Sequence, residues 1–398
     1  MATKPIKIGI IGCGHIAGRH VRSYEQIMQR ENDLFRITAV CDKVEESAQA
    51  FAGQIAQWQG EAPMVHTDVH KMVVHYPIDG VDICTPHYDH HTTGVQCLDA
   101  GVNVMIEKPF GVTVKASQLI VEAARRKGLI TACAENVRRG PSQRAAYWAI
   151  NRKGMIGQPR LFFCQHAMFQ KYDEPHEWHW RTDKFMGGGG WIMDSGSHFA
   201  DMTRYIFGDP ERVYATVRQY EQWPHIRDGK TVYDDREDTW MAILTFANRA
   251  DGFWSFSAAA KGQESKTIIY YGSEGCLVDE GDVYQGPVPA AKIIRPGQEP
   301  RLLSDIIPEF MASLTAEERG RMFPHGFEDG MTLEIYDFIR AIATGTKPEI
   351  DGWEALKSKA VCEAIYESAH CREALRYDDV VSGFIEGYQR EINEYWKI

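Results

Sequence analysis

The chain has 398 residues, and at roughly 150 residues per domain this length predicts two or three domains. An apolar fraction of 44% and a charged fraction of 25% are typical of globular proteins and exclude disordered, collagen-like and coiled-coil chains. The net charge of −11 opposes binding to nucleic-acid phosphates or anionic lipid, so we expect neither as a partner.

The N-terminal apolar run has only the length of a strand and lies beside glycines, so we expect no signal peptide. No apolar stretch approaches the ~18 residues that span a membrane. The nine cysteines are scattered without a Cys-x-x-Cys pair, which is typical of reduced thiols. These features together predict a cytoplasmic protein.

The first third of the chain alternates strand-like apolar runs with helical patterns such as Ser117–Lys127. The predicted strands are Ile6–Ile11, Phe35–Cys41, Gly80–Thr85, Val102–Ile106 and Leu129–Ala134. This alternation predicts an α/β fold with a parallel, doubly wound sheet, and we assign residues 1–135 to this first domain.

The pattern changes near residue 135, where a helix at Ser142–Arg152 precedes several long strand-like segments. These segments are Arg160–Phe169, Val213–Tyr220, Thr239–Phe246, Gly252–Ala260 and Thr267–Tyr271. They predict a second α/β domain, residues 136–398, with a large, mostly antiparallel sheet. Two amphipathic helices, Thr332–Thr344 and Trp353–Arg376, close the chain, and we expect that they can pack back on the first domain.

A glycine-rich turn follows the first strand directly and opens a helix. In the pattern Gly12-x-Gly14-x-x-Ala17, the first glycine permits a tight turn and the second leaves room for a pyrophosphate. Ala17 is small enough for close packing of helix on strand. Together with His15 and Ile16, this turn is predicted to bind a dinucleotide through the free N–H groups of the helix start.

Asp42 stands at the end of the second predicted strand, where a carboxylate accepts the adenosine ribose hydroxyls. A carboxylate there repels a 2′-phosphate, so NAD is favoured over NADP. Lys43 beside it would tolerate that phosphate, and NADP therefore stays open.

Further motifs follow in a characteristic order along the chain. They are Cys84-Thr-Pro-His-Tyr-Asp-His90, Glu107-Lys108-Pro109, Trp180-Arg181, the run Gly187–Gly190, and Asp194-Ser-Gly196-Ser-His198. With the glycine-rich turn, this order resembles the glucose–fructose oxidoreductase/inositol dehydrogenase family (Gfo/Idh/MocA). The resemblance covers nearly the whole chain.

The resemblance implies a Rossmann domain followed by an α/β domain whose open sheet often serves as an oligomer interface. We therefore expect a homodimer or a homotetramer. It also implies a small carbohydrate substrate, because family members mostly oxidise or reduce sugars, cyclitols and related secondary alcohols.

By resemblance, Lys108, Asp194 and His198 are the catalytic group and contact the substrate. Hydride transfer from a carbinol needs a base for the hydroxyl proton and a charge that stabilises the alkoxide. His198 is a suitable base near neutral pH, and Asp194, four residues earlier on one predicted helix, would hold its imidazolium. Lys108 follows a strand end and is expected to hydrogen-bond the same oxygen. Outside the family order, a surface lysine and an ordinary helix pair would explain these residues.

We also expect cofactor-binding residues beyond the turn, namely Thr85, Pro86, His90, Glu107, Lys108 and Asn136. His87 stands where many family members carry Asn, so the nicotinamide contact expected from that Asn is open.

The segment Tyr172–Lys184 is unusually rich in His and Trp. Flat Trp faces cover sugar C–H groups, and polar side chains pair with sugar hydroxyls. We therefore predict a sugar pocket lined by Trp178, Trp180, Trp191, His176, His179, Arg181, Asp183 and Lys184. Core packing explains any single Trp about equally well. The histidine spacing matches no metal motif, so we predict no metal site.

Arg138, Arg139 and Arg144 form a short basic segment near the predicted domain junction. Such a segment is usually a solvated face. The alternative is that one of these arginines contacts an anionic group of the substrate.

These features favour an NAD-dependent dehydrogenase acting on a secondary hydroxyl of a sugar, glycoside or cyclitol. The alternative is a glycoside hydrolase that oxidises the sugar transiently, eliminates the aglycone and returns the hydride, with acid and base supplied from residues 172–184. A non-catalytic NAD-binding regulator is a third hypothesis, disfavoured because the lysine and the histidine are both present.

Overall fold

A computed structural model describes residues 4–171, 174–281 and 285–398. The chain divides into two units, each with its own core. The first unit comprises Met1–Asn136 and Gly320–Leu356, and the second comprises Val137–Arg319 and Lys357–Ile398. Among the described residues, no helix combines the length and the apolar character needed to cross a membrane.

Strands and helices alternate through the first 136 residues. In chain order they are β1 (Ile6–Ile11), α1 (His15–Arg30), β2 (Phe35–Cys41), α2 (Glu45–Gln59), β3 (Met64–His66), α3 (Val69–His75), β4 (Gly80–Ile83), α4 (His90–Asp99), β5 (Asn103–Glu107), α5 (Val114–Lys127) and β6 (Thr131–Ala134). The strands form one parallel sheet in the order β3-β2-β1-β4-β5-β6. The predicted doubly wound parallel sheet is confirmed.

The remaining strands are β7 (Pro159–Ala167), β8 (His176–Glu177), β9 (Pro210–Arg218), β10 (Pro224–Arg227), β11 (Lys230–Tyr233), β12 (Thr239–Phe246), β13 (Asp251–Ser257), β14 (Ser265–Gly272), β15 (Cys276–Asp279), β16 (Lys292–Ile294), β17 (Arg301–Leu302) and β18 (Leu375–Arg376). The remaining helices are α6 (Pro141–Tyr147), α7 (Lys184–Gly187), α8 (Trp191–Asp194), α9 (Gly196–Phe207), α10 (Leu303–Ser313), α11 (Ala316–Met322), α12 (Gly330–Thr344), α13 (Gly352–Cys371), α14 (Tyr377–Val381) and α15 (Arg390–Trp396). Single 3₁₀ turns cover His87–Asp89, Val137–Arg139, Trp180–Thr182 and Pro324–Gly326.

The second unit contains a nine-stranded sheet in the order β17-β16-β15-β14-β7-β13-β12-β9-β18. All its neighbouring strands are antiparallel except β7 and β13. The predicted mostly antiparallel sheet is therefore confirmed. A small sheet, β11-β10-β8, lies in the same unit.

Helix α12 completes the core of the first unit although it comes late in the chain. Phe338 and Ile339 are fully buried in the same apolar cluster as β1 and α1. Gly80 at the start of β4 makes room for this helix, because a Cβ there would lie 2.5 Å from the Cδ1 atom of Ile342. Close approach of helix and strand thus requires the glycine.

Aromatic side chains build the core of the second unit on one face of the large sheet. Phe162 on β7 packs edge-on to Phe199 of α9, with ring centroids 5.8 Å apart, and its ring lies 5.2 Å from that of Phe207. Trp240 on β12 stacks on Phe256 of β13 at 4.7 Å. Strand alternation places these side chains on the face that α9 covers.

The C-terminal parts of two helices differ from the sequence prediction. The helix predicted to reach Arg376 ends at Cys371, since Arg372 adopts a left-handed backbone with φ of 61°. Leu375 and Arg376 then pair with β9 as an edge strand. The helix predicted over Ser142–Arg152 is α-helical only through Tyr147 and continues to Arg152 as a wider π-helical turn.

The basic segment near residue 140 is buried, so its prediction as a solvated face is wrong. Arg138, Arg139 and Arg144 are 7%, 2% and 5% exposed. The Arg138 Nε atom lies 3.1 Å from Asp201 Oδ2, and the Arg144 Nε donates to the Arg139 carbonyl at 3.0 Å. The Asp201 carboxylate beside Arg138 and the Arg139 carbonyl beside Arg144 reduce the cost of burying these charged groups.

Candidate active site

The two glycines of the first turn have different surroundings in the protein. Gly12 has a φ of +88°, and a Cβ there would lie 2.8 Å from the carbonyl carbon and oxygen of Cys84. Its own protein contacts therefore require glycine. Gly14 is exposed, and a Cβ there would meet no described atom within 4 Å. Internal packing among the described residues therefore does not account for that glycine.

The N-cap residue of helix α1 is Gly14, so no side chain at that position caps the first N–H groups of the helix. His15 is exposed and Ile16 half-buried at the helix start, whereas Ala17 is fully buried against the sheet. Free N–H groups at the start of a 16-residue helix suit an anion such as the pyrophosphate of NAD. When bound, NAD supplies the hydride acceptor.

Asp42 is oriented by the turn itself. Its Oδ2 atom accepts the Cys13 N–H at 2.7 Å, and its Oδ1 atom accepts the Val44 N–H at 2.8 Å. The carboxylate is thus anchored beside the dinucleotide turn, with lone pairs left for ribose hydroxyls. The exposed Lys43 ammonium lies 3.4 Å from Asp89.

The residues predicted beside the nicotinamide lie on loops after β4 and β5. Thr85 and Pro86 follow β4, and Lys108 follows β5 and is partly buried. Asn136 ends the first unit, and a Cβ on Gly330 would lie 2.1 Å from its carbonyl oxygen. His87, in the position expected for Asn, is buried, and its ring centroid lies 5.7 Å from that of His90.

The buried His90 ring contacts both of these loops. Its Nε2 atom lies 2.8 Å from the Thr85 carbonyl oxygen and its Nδ1 atom 2.9 Å from the Pro109 carbonyl oxygen. The ring is fully buried, and this desolvation lowers the pKa of His90 despite both carbonyl contacts. His90 therefore contacts the backbones of both loops, and the neutral ring donates its single N–H to one of the two carbonyls.

Glu107 is the second buried group of this region. Its Oε1 atom lies 3.1 Å from His20 Nε2, and its Oε2 atom accepts the Lys108 N–H at 2.9 Å. Burial opposes its ionisation, but the hydrogen bond and charge of His20 lower the pKa of Glu107. His20 was not predicted from the sequence, where its only local mark is its place three residues after Ala17 on α1.

In the second unit, Asp194 and His198 lie on two successive helices rather than one. Helix α8 ends at Asp194, and α9 begins at Gly196 after a break at Ser195. The Ser197 hydroxyl donates to the Asp194 carbonyl at 3.0 Å. The prediction of one continuous helix is therefore wrong.

The glycine run before α8 permits close contact with buried side chains. Gly189 has a φ of +149°, and a Cβ there would lie 2.3 Å from the hydroxyl of Tyr366. A Cβ on Gly190 would lie 2.7 Å from Glu237 Oε2. Instead, the Glu237 carboxylate accepts the N–H groups of Gly190 and Ile192, both at 2.9 Å. This carboxylate therefore holds the turn that carries Asp194.

Glu237 and Tyr366 were not predicted from the sequence. They lie 47 and 176 residues from Gly190, so no local spacing connects them. The glycine run itself was the only signal, since such runs accompany close approach of a backbone to another group.

The His- and Trp-rich segment is anchored by the small sheet. Strand β8 pairs with β10, and the Trp178 N–H donates to the Ile226 carbonyl at 2.8 Å. The Arg227 guanidinium lies 4.1 Å from the centroid of the Trp178 ring. His176 is exposed on β8. Tyr172, the first residue of the segment, lies outside the described residues.

Four of the predicted substrate residues come together at Asp194. The Arg181 guanidinium lies 4.3 Å from the Trp180 ring centroid, and its Nε atom is 3.4 Å from Asp194 Oδ2. His179 Nδ1 accepts the Arg181 N–H at 3.2 Å. Partial burial and the charge of Arg181 lower the pKa of His179. The cluster of His179, Trp180, Arg181 and Asp194 therefore combines an aromatic face with donors and acceptors.

Three other residues predicted for the pocket make internal contacts. The half-buried Trp191 packs its ring 5.5 Å from that of Phe256. Asp183 accepts the N–H groups at the start of α7, and Lys184 pairs with Glu391.

Two family models match the chain. One, described as an oxidoreductase family with an NAD-binding Rossmann fold, matches residues 6–134, and the other, the GFO/IDH/MocA C-terminal domain, matches residues 147–278. The glycine-rich turn and parallel sheet thus define an NAD-binding oxidoreductase. The chain belongs to the Gfo/Idh/MocA family, which confirms the resemblance seen in the sequence.

Curated relatives and solved structures agree with this assignment. Levoglucosan dehydrogenase of Pseudarthrobacter phenanthrenivorans is 25% identical over 306 residues, 73% of this chain and 77% of the relative. Myo-inositol 2-dehydrogenase of Thermotoga maritima is 21% identical over 389 residues, 94% of this chain and 100% of the relative. A structure of levoglucosan dehydrogenase with NADH and levoglucosan has a TM-score of 0.75 at 23% identity, covering 94% of this chain and 99% of that one. This structural likeness shows the shared fold.

The buried carboxyl at the glycine run predicts a pH-dependent stability. Burial raises the pKa of Glu237 from 4.5 to about 7, and burial does the same for Glu363. Because the folded protein binds these protons more tightly, the stabilisation is present at low pH and is lost as pH rises toward 7. The unfolding free energy of the wild-type protein should therefore decrease between about pH 5 and about pH 8. We expect this decrease to be smaller by about 2 to 3 kcal/mol in Glu237→Gln.

Urea unfolding at several pH values measures this decrease. Glu299→Gln, at an exposed position, is the matched control and should leave the pH dependence unchanged. An identical pH dependence in wild type and Glu237→Gln would contradict the role of Glu237.

Proposed function

We propose that this NAD-dependent oxidoreductase acts on a secondary hydroxyl of a sugar, glycoside or cyclitol. The observation that carries the proposal is the cluster of His179, Trp180, Arg181 and Asp194, an aromatic face beside charged and polar groups. Sugars present both C–H faces and hydroxyls, and this combination matches them. The named activities of the relatives, levoglucosan and myo-inositol dehydrogenases, support the same substrate class.

We assign the chemistry to Lys108, Asp194 and His198. His198 takes the hydroxyl proton as general base, and the Asp194 carboxylate favours its imidazolium. The Lys108 ammonium stabilises the negative charge that develops on the oxygen. Thr85, Pro86, Glu107 and Asn136 line the approach of the nicotinamide in this assignment.

Substitution of Lys108 tests the assignment directly. Lys108→Ala should lower kcat by about 10²- to 10⁴-fold, because the alkoxide loses its stabilising charge. NADH formation from a panel of sugars and cyclitols measures kcat. Lys115→Ala, an exposed lysine on α5, is the matched control and should keep full activity.

Undiminished turnover in Lys108→Ala would contradict the catalytic assignment. Glycoside cleavage without net NADH, with deuterium exchange at the sugar C2 position, would contradict a net dehydrogenase. Failure of every panel member to react would contradict the sugar substrate class.

We further propose that Asp42 makes NAD the preferred cofactor over NADP. Its carboxylate is held beside the turn by the Cys13 and Val44 N–H groups. Asp42→Asn keeps the shape but removes the charge, and it should narrow the NAD-over-NADP ratio of kcat/KM by about 10- to 100-fold. Glu46→Gln, exposed on the next helix, should leave this ratio unchanged, and an unchanged ratio in Asp42→Asn would exclude the role.

We propose that the uncovered face of the large sheet binds a second copy of the chain, giving a homodimer or homotetramer. Along the central strands, exposed apolar side chains alternate with buried side chains. Met241 and Ile243 are 55% and 49% exposed. Leu161, Phe163 and Tyr214 extend the same face across β7 and β9. Contiguous exposed apolar area of this kind is typical of an association surface.

Light scattering tests this association. Ile243→Lys should convert the oligomer to a monomer, because it places a charge in an apolar contact. Tyr233→Lys, at an exposed aromatic residue on β11 of the small sheet, is the control and should remain oligomeric. An unchanged mass in Ile243→Lys would contradict the proposed interface.

We also place the protein in the cytoplasm. All nine cysteines are free and seven of them are buried, a pattern that suits a reducing compartment.

A further inference from the structure

A line of buried side chains runs beneath the Glu-Lys-Pro segment of the first unit. His20 on α1 stands at its centre, between Asp82 of β4 and Glu107 of β5. Its Nδ1 atom lies 2.9 Å from Asp82 Oδ2, and its Nε2 atom lies 3.1 Å from Glu107 Oε1. His20 and Asp82 are fully buried, and Glu107 is 7% exposed.

The two contacts decide the protonation of the ring. An ionised carboxylate only accepts hydrogen bonds, so both ring nitrogens must donate, and His20 is then an imidazolium. Tyr24 adds a donor to Asp82 at 3.2 Å, and a third carboxylate, Glu334, lies 3.8 Å from Nε2. Burial favours the neutral ring, but Asp82 raises the pKa of His20 well above its usual value.

This line ends on the backbone of the proposed catalytic lysine. Glu107 uses one oxygen for His20 and the other for the Lys108 N–H, at 2.9 Å. On the far side of Lys108, His90 contacts the Pro109 carbonyl at 2.9 Å. Buried histidines therefore hold the chain on both sides of Lys108: His20 acts through the Glu107 carboxylate on the Lys108 N–H, and His90 contacts the Pro109 carbonyl.

We propose that His20 is a positioning residue for Lys108, acting through the Glu107 carboxylate. The inference rests on the proposed function of Lys108. A buried carboxylate without its cationic partner favours protonation or reorientation, because an uncompensated charge in a dry interior is costly. Loss of the imidazolium would therefore release the Lys108 backbone and misplace its ammonium, while the cofactor turn at Gly12–Ala17 keeps its own contacts.

A metal ion is the competing account of the same residues. The ligand atoms of His20, Asp82 and Cys84 lie within 4.8 Å of one another. However, each ring nitrogen of His20 lies at hydrogen-bond distance from a carboxylate, Nδ1 from Asp82 and Nε2 from Glu107. A bound metal ion would occupy only one of these two nitrogens. The geometry favours the imidazolium, and metal analysis of the purified protein separates the two accounts.

The test compares His20→Gln with Tyr24→Phe. Both alter the same buried cluster, but Tyr24 contacts Asp82 and lies outside the line to Lys108. We expect His20→Gln to lower kcat by about 10- to 100-fold with nearly unchanged NADH affinity, as misplacement of a catalytic group does. Tyr24→Phe should lower the melting temperature and keep kcat.

A double-mutant cycle adds a readout that a merely structural residue would not move. Glu107→Gln should lower kcat as His20→Gln does. The double variant should lose no more kcat than the worse single variant, because both changes interrupt the same series of contacts from His20 to the Lys108 backbone. If His20→Gln does not fold, Glu107→Gln against Tyr24→Phe carries the same comparison.

Three results would overturn the proposal. They are equal kcat losses in His20→Gln and Tyr24→Phe, additive losses in the cycle, and a stoichiometric metal that His20→Gln removes. Lys108→Ala is measured in parallel, and full activity of that variant would refute the catalytic assignment itself rather than the positioning by His20.

Discussion

The parallel pairing of β1 with β2 and β4, and of β4 with β5, is the constraint on which the cofactor unit depends. Parallel strands end at the same edge of a sheet, and ligands bind there in doubly wound folds. Gly12, Asp42, Thr85 and Lys108 each follow one of these strands within a few residues. Residues nearly a hundred positions apart are thereby collected along one edge without any direct sequence relation.

Loops at such an edge need support, and in both units buried polar groups supply it. Glu107 accepts the backbone N–H of Lys108, His90 contacts the Pro109 carbonyl, and Glu237 accepts the N–H groups of Gly190 and Ile192. Burial of an ionisable group costs free energy, which hydrogen bonds to backbone and opposite charges offset. The balance differs between the two carboxyls. His20 lowers the pKa of Glu107, whereas for Glu237 burial outweighs the backbone hydrogen bonds and the charge of Arg236 and raises the pKa to about 7.

Glycine marks these same places, but for distinct reasons. Gly12, Gly189 and Gly190 are required by contacts inside the protein, since an added Cβ would overlap a carbonyl, a phenol or a carboxylate. Gly14 has no such neighbour among the described residues. Internal packing thus accounts for three of these four glycines and not for Gly14, which lies in the turn predicted to bind the cofactor.

The sequence alone determined the parallel sheet, the dinucleotide turn, the mostly antiparallel second sheet and the family order of the motifs. These features depend on local spacing, because strand–helix alternation, a tight turn and a helix start each lie within some 30 residues. It also located, through its composition, the segment whose residues His179, Trp180 and Arg181 meet Asp194.

Only the tertiary structure decided which polar residues are buried and with what partner. Arg138 lies inside the second unit with Asp201 across from it, His20 has a carboxylate at hydrogen-bond distance from each ring nitrogen, and the half-buried Trp191 packs against Phe256. In each case the environment comes from elements distant in the chain, and burial and protonation are properties of that environment rather than of the residue itself.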